Sequence, residues 1–309
     1  MQEPKYNRIQ AINTDTGEIV ANVLQKEGEE VILDTKKILT DKQKYFLNNQ
    51  DEFKRYSSEQ GGFIMMLFVQ KAKLDLGNCD KATLSRLVYL STYIDYNNRQ
   101  ENLLVKRVKD NKLEPMKRKD IQSVLGLGDT AFKGFLKDVK ENGLLFEVNG
   151  KFYVTDLFAT KGKNDISKNG YRNCYARLFI NCIRNLYEGC KPREHKVLSS
   201  IFMLLPFIHI NTNIITMDDD TTKDDEINPM SIIDIAELLE IENKTHLKRL
   251  VRDLEKFRVT IDGNEYKMFS WVRLSDCDYY VVNPRVVYRG DNYEQMCWVA
   301  DTYFFRNNK

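Results

Sequence analysis

Few residues in this 309-residue chain have the type and spacing for covalent chemistry. The three histidines, His195, His209 and His246, share no local motif with a Ser, Cys or Asp nucleophile. No His-x-His pair stands near a tyrosine, as a metal-dependent nickase would require. The six cysteines, Cys79, Cys174, Cys182, Cys190, Cys277 and Cys297, form no CxxC pair, which argues against a zinc ribbon or a thioredoxin-like motif. Cys174, Cys182 and Cys190 recur at a spacing that drifts around a helix, so they do not converge on one metal and read as buried, reduced thiols. Gly126-Leu127-Gly128 lacks the Walker spacing and the Lys-Ser/Thr ending of a phosphate loop. Asp218-Asp219-Asp220 and Asp224-Asp225-Glu226 lack the alternation of a calcium loop and read as a solvated segment. These patterns predict a protein with no catalytic centre, no metal and no cofactor.

The remaining candidates are cationic. In residues 243–258, Leu247, Leu250, Val251 and Leu254 form an apolar helical stripe, and Lys244, Thr245, Lys248, Arg249, Arg252 and Lys256 form the opposite one. In residues 129–142 the apolar stripe is Phe132, Phe135, Leu136 and Val139, and the outward set is Thr130, Lys133, Lys137 and Lys140. Lys117 and Lys151 extend the basic set on either side. Such a helix fits the major groove of B-DNA. Arg249 and Arg252 have the fork that recognises guanine, Thr245 and His246 can meet phosphate or a base edge, and lysines neutralise phosphate and release counterions. A formal net charge of +2, from 47 Lys+Arg against 45 Asp+Glu, excludes a uniformly basic protein but leaves room for patches. Residues 214–242 hold about nine excess negative charges and residues 243–258 about four excess positive ones.

An internal repeat supplies the elements that would position these residues. Leu84-Ser85-Arg86-Leu87-Val88-Tyr89-Leu90 matches Leu198-Ser199-Ser200-Ile201-Phe202-Met203-Leu204, and Met116…Ile121 matches Met230…Ile235. Upstream, Leu67-Phe68-Val69 matches Leu178-Phe179-Ile180, and Cys79 matches Cys190. Downstream, Phe152-Tyr153-Val154…Lys161-Gly162 matches Tyr279-Tyr280-Val281…Arg289-Gly290. One unit of about 110 residues, a usual domain size, thus occurs twice.

In the first unit an apolar helix over 84–94 precedes a short helix over 117–125, a glycine turn, and a helix over 129–142 that Gly143 ends. Residues 144–148 and 151–154 then flank Asn149-Gly150, a two-residue hairpin signal. The second unit repeats the order with helices over 231–239 and from Asn243-Lys244, and strands over 258–261 and 266–269 around Asp262-Gly263. Strands at 271–273 and 279–282 are expected to extend this hairpin into a longer sheet. Helix, turn, helix, hairpin is the order of a winged helix. Outside the units, residues 9–13 and 18–23 flank Thr14-Asp15-Thr16-Gly17 as a hairpin, residues 41–48 read as a short helix, and residues 293–304 as a tail helix.

The second unit resembles the winged-helix domains of replication initiators and related DNA-binding proteins of low-GC bacterial plasmids and phages, including the RepL family. The residues carrying the resemblance are Met230-Ser231-Ile232-Ile233-Asp234-Ile235-Ala236-Glu237-Leu238-Leu239, Thr245…Leu247…Leu250-Val251…Leu254 and Val282-Asn283-Pro284…Val287-Tyr288-Arg289-Gly290. The Asp15-Thr16-Gly17-Glu18 hairpin is similar to the opening of such phage proteins. This chain departs from the pattern by carrying the unit twice and by having Thr155-Asp156-Leu157 where the first copy would carry Asn-Pro. The resemblance implies binding to duplex DNA in replication initiation or transcriptional regulation.

The expected fold class is α+β, mainly α, with two tandem winged helix-turn-helix domains and a small N-terminal β-hairpin region. The expected divisions are an extension over 1–60, a first domain over 61–160, a linker over 161–170, a second domain over 171–290 and a tail helix over 291–309. The expected partner is double-stranded DNA, with replication or transcription machinery as a further one, bound by a monomer or homodimer. A protein-interaction scaffold built on the same domains is the alternative. No apolar run reaches the roughly 18 residues of a membrane span, and the opening MQEPKYNRIQ lacks an apolar signal core. A cytoplasmic protein associated with DNA is expected.

Overall fold

The computed structural model of the protein describes residues 6–12, 19–26, 41–68, 79–96, 102–161, 175–217, 227–273 and 278–305. The expected turn at 14–17, nearly all of the 161–170 linker, the acidic stretch 218–226, Cys174 and Cys277 lie outside the described residues. Two units are distinguished, Met1–Asp51 and Glu52–Lys309. The first holds β1 (Tyr6–Ile12) and β2 (Ile19–Lys26), paired antiparallel as expected. Helix α1 (Asp41–Glu59) begins in that unit and ends in the other. It runs past the expected end at residue 48 because Phe53 and Tyr56 have a core to enter, and Arg55 pairs with Glu52 and with Glu59 one turn either way.

The second unit is α+β. Its elements in chain order are β3 (Phe63–Leu67), α2 (Lys81–Ser91), β4 (Val105–Arg107), β5 (Leu113–Pro115), α3 (Arg118–Leu125), α4 (Asp129–Glu141), β6 (Leu145–Val148), β7 (Lys151–Val154) and β8 (Ala159–Thr160). There follow β9 (Tyr175–Phe179), α5 (Ile180–Glu188), α6 (His195–Leu204), α7 (Ile232–Leu238), α8 (Lys244–Leu254), β10 (Arg258–Ile261), β11 (Asn264–Lys267), β12 (Phe269–Arg273), β13 (Asp278–Val282), β14 (Val287–Tyr288) and α9 (Tyr293–Ala300). Among the described residues no helix is long and apolar enough to cross a membrane.

The two repeats are joined rather than set side by side. Strands β14, β9, β3 and β8 form one antiparallel sheet in that order, so the strand opening each repeat lies inside and the strand closing it outside. Met65 faces Arg177 and Met66 faces Ala176 across the central pair. Helix α2 packs on its counterpart α6. Leu84, Leu87, Phe135 and Val139 of one repeat and Leu198, Ile201, Val251 and Leu254 of the other belong to a single hydrophobic core. The expected first and second domains thus lie in one compact unit.

Local chemistry sets the turns. Gly126 (φ +63°) ends α3 in the left-handed region, and Gly128 is the N-cap of α4. Asn149 and Gly150 (φ 52° and 72°) join β6 to β7, and Asp262 and Gly263 (φ 52° and 78°) join β10 to β11, the paired positive φ values of type I′ turns. One expectation fails here. Strands β12 and β13 form their own ladder instead of extending the β10–β11 hairpin. The cause is Met268, fully buried, whose N–H bonds to Phe257 O at 3.0 Å and whose carbonyl accepts from Asn283 N at 2.9 Å, so the chain leaves one ladder there and enters another. The tail helix α9 buries Met296 and Val299 and continues as a π-helical turn, Asp301–Phe305.

Candidate nucleic-acid interface

Helix α8 begins where Asn243 caps it, its side chain accepting from Thr245 N at 2.8 Å. Leu247, Val251 and Leu254 are buried and Leu250 is half-buried, which fixes the rotation of the helix. Thr245, His246, Arg249, Arg252 and Lys256 are consequently exposed. Lys244 and Lys248 lie on the same helix, and their side chains are outside the described residues. The helix ends at Leu254, so Lys256, expected on the helical stripe, stands in the turn after it; Asp253 accepts from Lys256 at 2.7 Å and lies 3.7 Å from Arg249, so it holds both cations at the C-terminal end of the helix. Arg252 has no ion pair among the described residues and stands on the outward face.

The first repeat places its residues in the same way. Phe132, Phe135, Leu136 and Val139 of α4 are buried, and Thr130, Lys133, Lys137 and Lys140 are exposed. Two of these cations are engaged locally. Lys137 lies 4.0 Å from Glu141, and Lys140 pairs with Glu147 of β6 while its ammonium sits 5.7 Å from the Phe152 ring centroid. Lys133 carries no ion pair among the described residues. Lys117 is exposed just ahead of α3, its N–H donating to Asp120 at 2.8 Å. Lys151 is half-buried on β7. Asp120 also takes Lys106 Nζ at 2.8 Å. Partial burial pushes this carboxyl up, but the hydrogen bonds from Lys106 and Lys117 outweigh it and hold Asp120 below its usual range.

A groove with no signature in the sequence lies beside α8. It has a volume of about 910 Å³ and lies between the α5–α6 turn, with Lys191, Arg193 and Glu194, and the edge of α8 and β10, with Arg249, Asp253, Lys256 and Arg258. Lys191 and Arg193 carried no helical periodicity, so pattern alone did not single them out. Cys190 also lines it, and burial together with nearby Glu194 pushes its thiol up to about 12, so it is held as the neutral thiol. Among the described residues no group of three or more His, Cys, Asp or Glu is placed to hold a metal ion. The arrangement can therefore present fixed cations and hydrogen-bond donors to an anion.

The residues carrying the family resemblance do structural work. Asn283 is fully buried and donates to Lys267 O at 2.8 Å, while its side-chain oxygen accepts from Arg285 N at 3.0 Å. Arg289, 5% exposed, donates to Pro206 O at 3.2 Å and Ile208 O at 2.7 Å. A Cβ at Gly290 would stand 2.8 Å from Ile210 O and 2.5 Å from the Tyr288 hydroxyl. No family model matches the chain, and no curated protein or solved structure matches it.

Proposed function

We propose that the protein binds double-stranded DNA as two fused winged helices. Helices α4 and α8 are the major-groove elements, and the hairpins β6–β7 and β10–β11 are the wings. The observation that carries this reading is the outward face of α8, where Thr245, Arg249 and Arg252 are exposed opposite a buried apolar stripe, with Lys256 exposed in the turn just after the helix. Support comes from the order helix, turn, helix, hairpin, which occurs in both repeats with left-handed glycine turns in the hairpins. Counterpart packing of the repeats suits a target with two half-sites, because a paired site asks for paired reading elements. The role proposed with it is replication initiation or transcriptional regulation in a plasmid or phage.

The experiment is selection of duplexes from a random pool by the intact protein, followed by titration at several salt concentrations. The expected result is an enriched motif whose affinity falls steeply as salt rises. Lys248→Ala, Arg249→Ala and Arg252→Ala together should abolish selection of the second half-site. Absence of salt-dependent duplex binding would overturn the reading. One observation favours a protein-interaction role instead: Phe146 and Val148 on β6 are 48% and 53% exposed, apolar where a DNA-contacting wing would be polar. Binding insensitive to salt would select that alternative.

A further inference from the structure

One difference between the two repeats lies just ahead of helices α2 and α6. Four residues lie between Cys79 and Leu84 in the first repeat, and seven between their counterparts Cys190 and Leu198 in the second. The longer connection forms a 3-10 turn, Pro192–Glu194, ahead of α6. It also brings in Lys191 and Arg193, both exposed and neither in an ion pair among the described residues.

The packing behind this connection differs too. Asp138 of α4 and Asp253 of α8 occupy equivalent positions, each just ahead of the last buried apolar residue of its stripe, Val139 or Leu254. In the first repeat Asp138 reaches the start of α2, accepting from Thr83 Oγ1 at 3.2 Å and from Asp80 N at 3.4 Å. In the second repeat Asp253 turns to Arg249 on its own helix and to Lys256 in the turn that follows it, and the groove lies between α8 and the α5–α6 turn. Basic side chains in its lining outnumber acidic ones five to three. One of those acids, Glu194, is already occupied by the Lys191 N–H at 2.7 Å.

We propose that this groove seats the sugar-phosphate backbone of the DNA strand bordering the major groove that α8 enters, with Lys191 and Arg193 as the phosphate contacts. The inference rests on the DNA-binding reading given above. A helix lying in a major groove has a phosphate strand running along each side, and contacts to that strand set register without reading sequence. The groove adjoins the edge of α8 that carries Arg249 and Asp253, and Lys256 in the turn after it, where one of those strands must pass. Its opposite wall is the inserted turn, whose two cations, in no ion pair among the described residues, line the same space. At about 910 Å³ and with a lining dominated by charged and polar groups, it is suited to a solvated polyanion rather than to an apolar ligand.

The test is the salt dependence of duplex binding by the full chain and by Lys191→Ala/Arg193→Ala. The slope of log affinity against log salt should become shallower by about 1.8, from two lost phosphate contacts at about 0.9 each. The selected motif should stay the same, and selected and scrambled duplexes should weaken equally. Both side chains are exposed, so the melting temperature should not move. Lys191→Glu/Arg193→Glu should weaken binding further. An unchanged slope in both variants overturns the proposal while leaving the DNA reading intact. No duplex binding by the unsubstituted chain overturns both. A nucleoside triphosphate that raises the melting temperature of the parent but not of the Ala variant, with duplex slopes equal, would assign the groove to a free phosphate ester and also overturn it.

Discussion

Ser85 and Ser199 stand 114 residues apart at equivalent positions of the two repeats, and they touch: the Ser85 backbone N–H donates to Ser199 Oγ at 3.1 Å. Both hydroxyls then converge on one carbonyl, that of His195, at 2.8 Å from Ser85 and 2.9 Å from Ser199. Small side chains let α2 and α6 approach closely enough for this, and the buried hydroxyls remain satisfied.

Because that contact lies inside a shared core, residues 52–309 should unfold as one body. Heating followed by circular dichroism and by calorimetry should give one transition for this unit, with matching van't Hoff and calorimetric enthalpies. Ser199→Leu should lower stability by about 1–3 kcal/mol through overpacking of the helix pair. Two resolved transitions assigned to the two repeats would contradict the shared core.

His195 makes the same interface sensitive to acid. It is 2% exposed, stacks on Tyr187 at 4.3 Å between ring centroids, and its Nδ1 has no hydrogen-bond partner. Burial, aided by the Arg86 charge, lowers its pKa from 6.5 to about 4. The unfolded chain therefore binds a proton that the folded chain refuses. Its contribution is fully present above pH 6.5 and is lost as pH falls towards 4, to a total on the order of 3 kcal/mol. His195→Phe keeps a ring against Tyr187 and should remove this part of the acid sensitivity. Equal pH profiles for the two proteins in urea titrations would refute the assignment.

Arg289 and Gly290 should act on stability and not on DNA contact. Arg289→Ala leaves the carbonyls of Pro206 and Ile208 without this donor and should destabilise by about 2–4 kcal/mol. Gly290→Ala forces Tyr288 or the backbone at Ile210 to move and should also be destabilising. Duplex affinity measured well below the melting temperature should stay at the parent value. A loss of affinity without loss of stability would place these residues at the interface instead.

The equivalent aspartates predict opposite outcomes. Asp253→Asn removes a negative charge from between Arg249 and Lys256, so duplex binding should tighten and its salt slope steepen by about one phosphate contact. Asp138→Asn weakens the acceptor used by Thr83 and Asp80 and should lower stability by about 1 kcal/mol with little change in affinity. Affinity titrations and thermal melts on the same two variants separate the cases.

Much of the local structure was legible in the chain. The apolar spacing of Phe132, Phe135, Leu136 and Val139 located α4, and Asn149-Gly150 and Asp262-Gly263 located the two hairpins, since helical period and positive-φ turns are properties of neighbouring residues. The end of α1 was not legible, because polar residues Asn48 to Asp51 read as a stop and only burial of Phe53 and Tyr56 carries the helix on. The outward cations were legible as a stripe, and the three- and four-residue spacing of Arg249, Asp253 and Lys256 already allowed their pairing, but Lys140 meeting Glu147 joins α4 to β6, which periodicity does not encode.

By itself the sequence determined that one unit occurs twice, and which face of each second helix is apolar and which is basic. Tertiary structure alone decided that the units fuse. The pairing of β3 with β9 and the approach of Ser85 to Ser199 join residues more than a hundred positions apart, where no local period operates. It likewise placed a groove between α8 and the α5–α6 turn in the second repeat, while Asp138 ties α4 to α2 in the first. Local propensity is a property of neighbours along the chain, and a shared sheet, a helix-on-helix contact and a groove are properties of segments that only folding brings together.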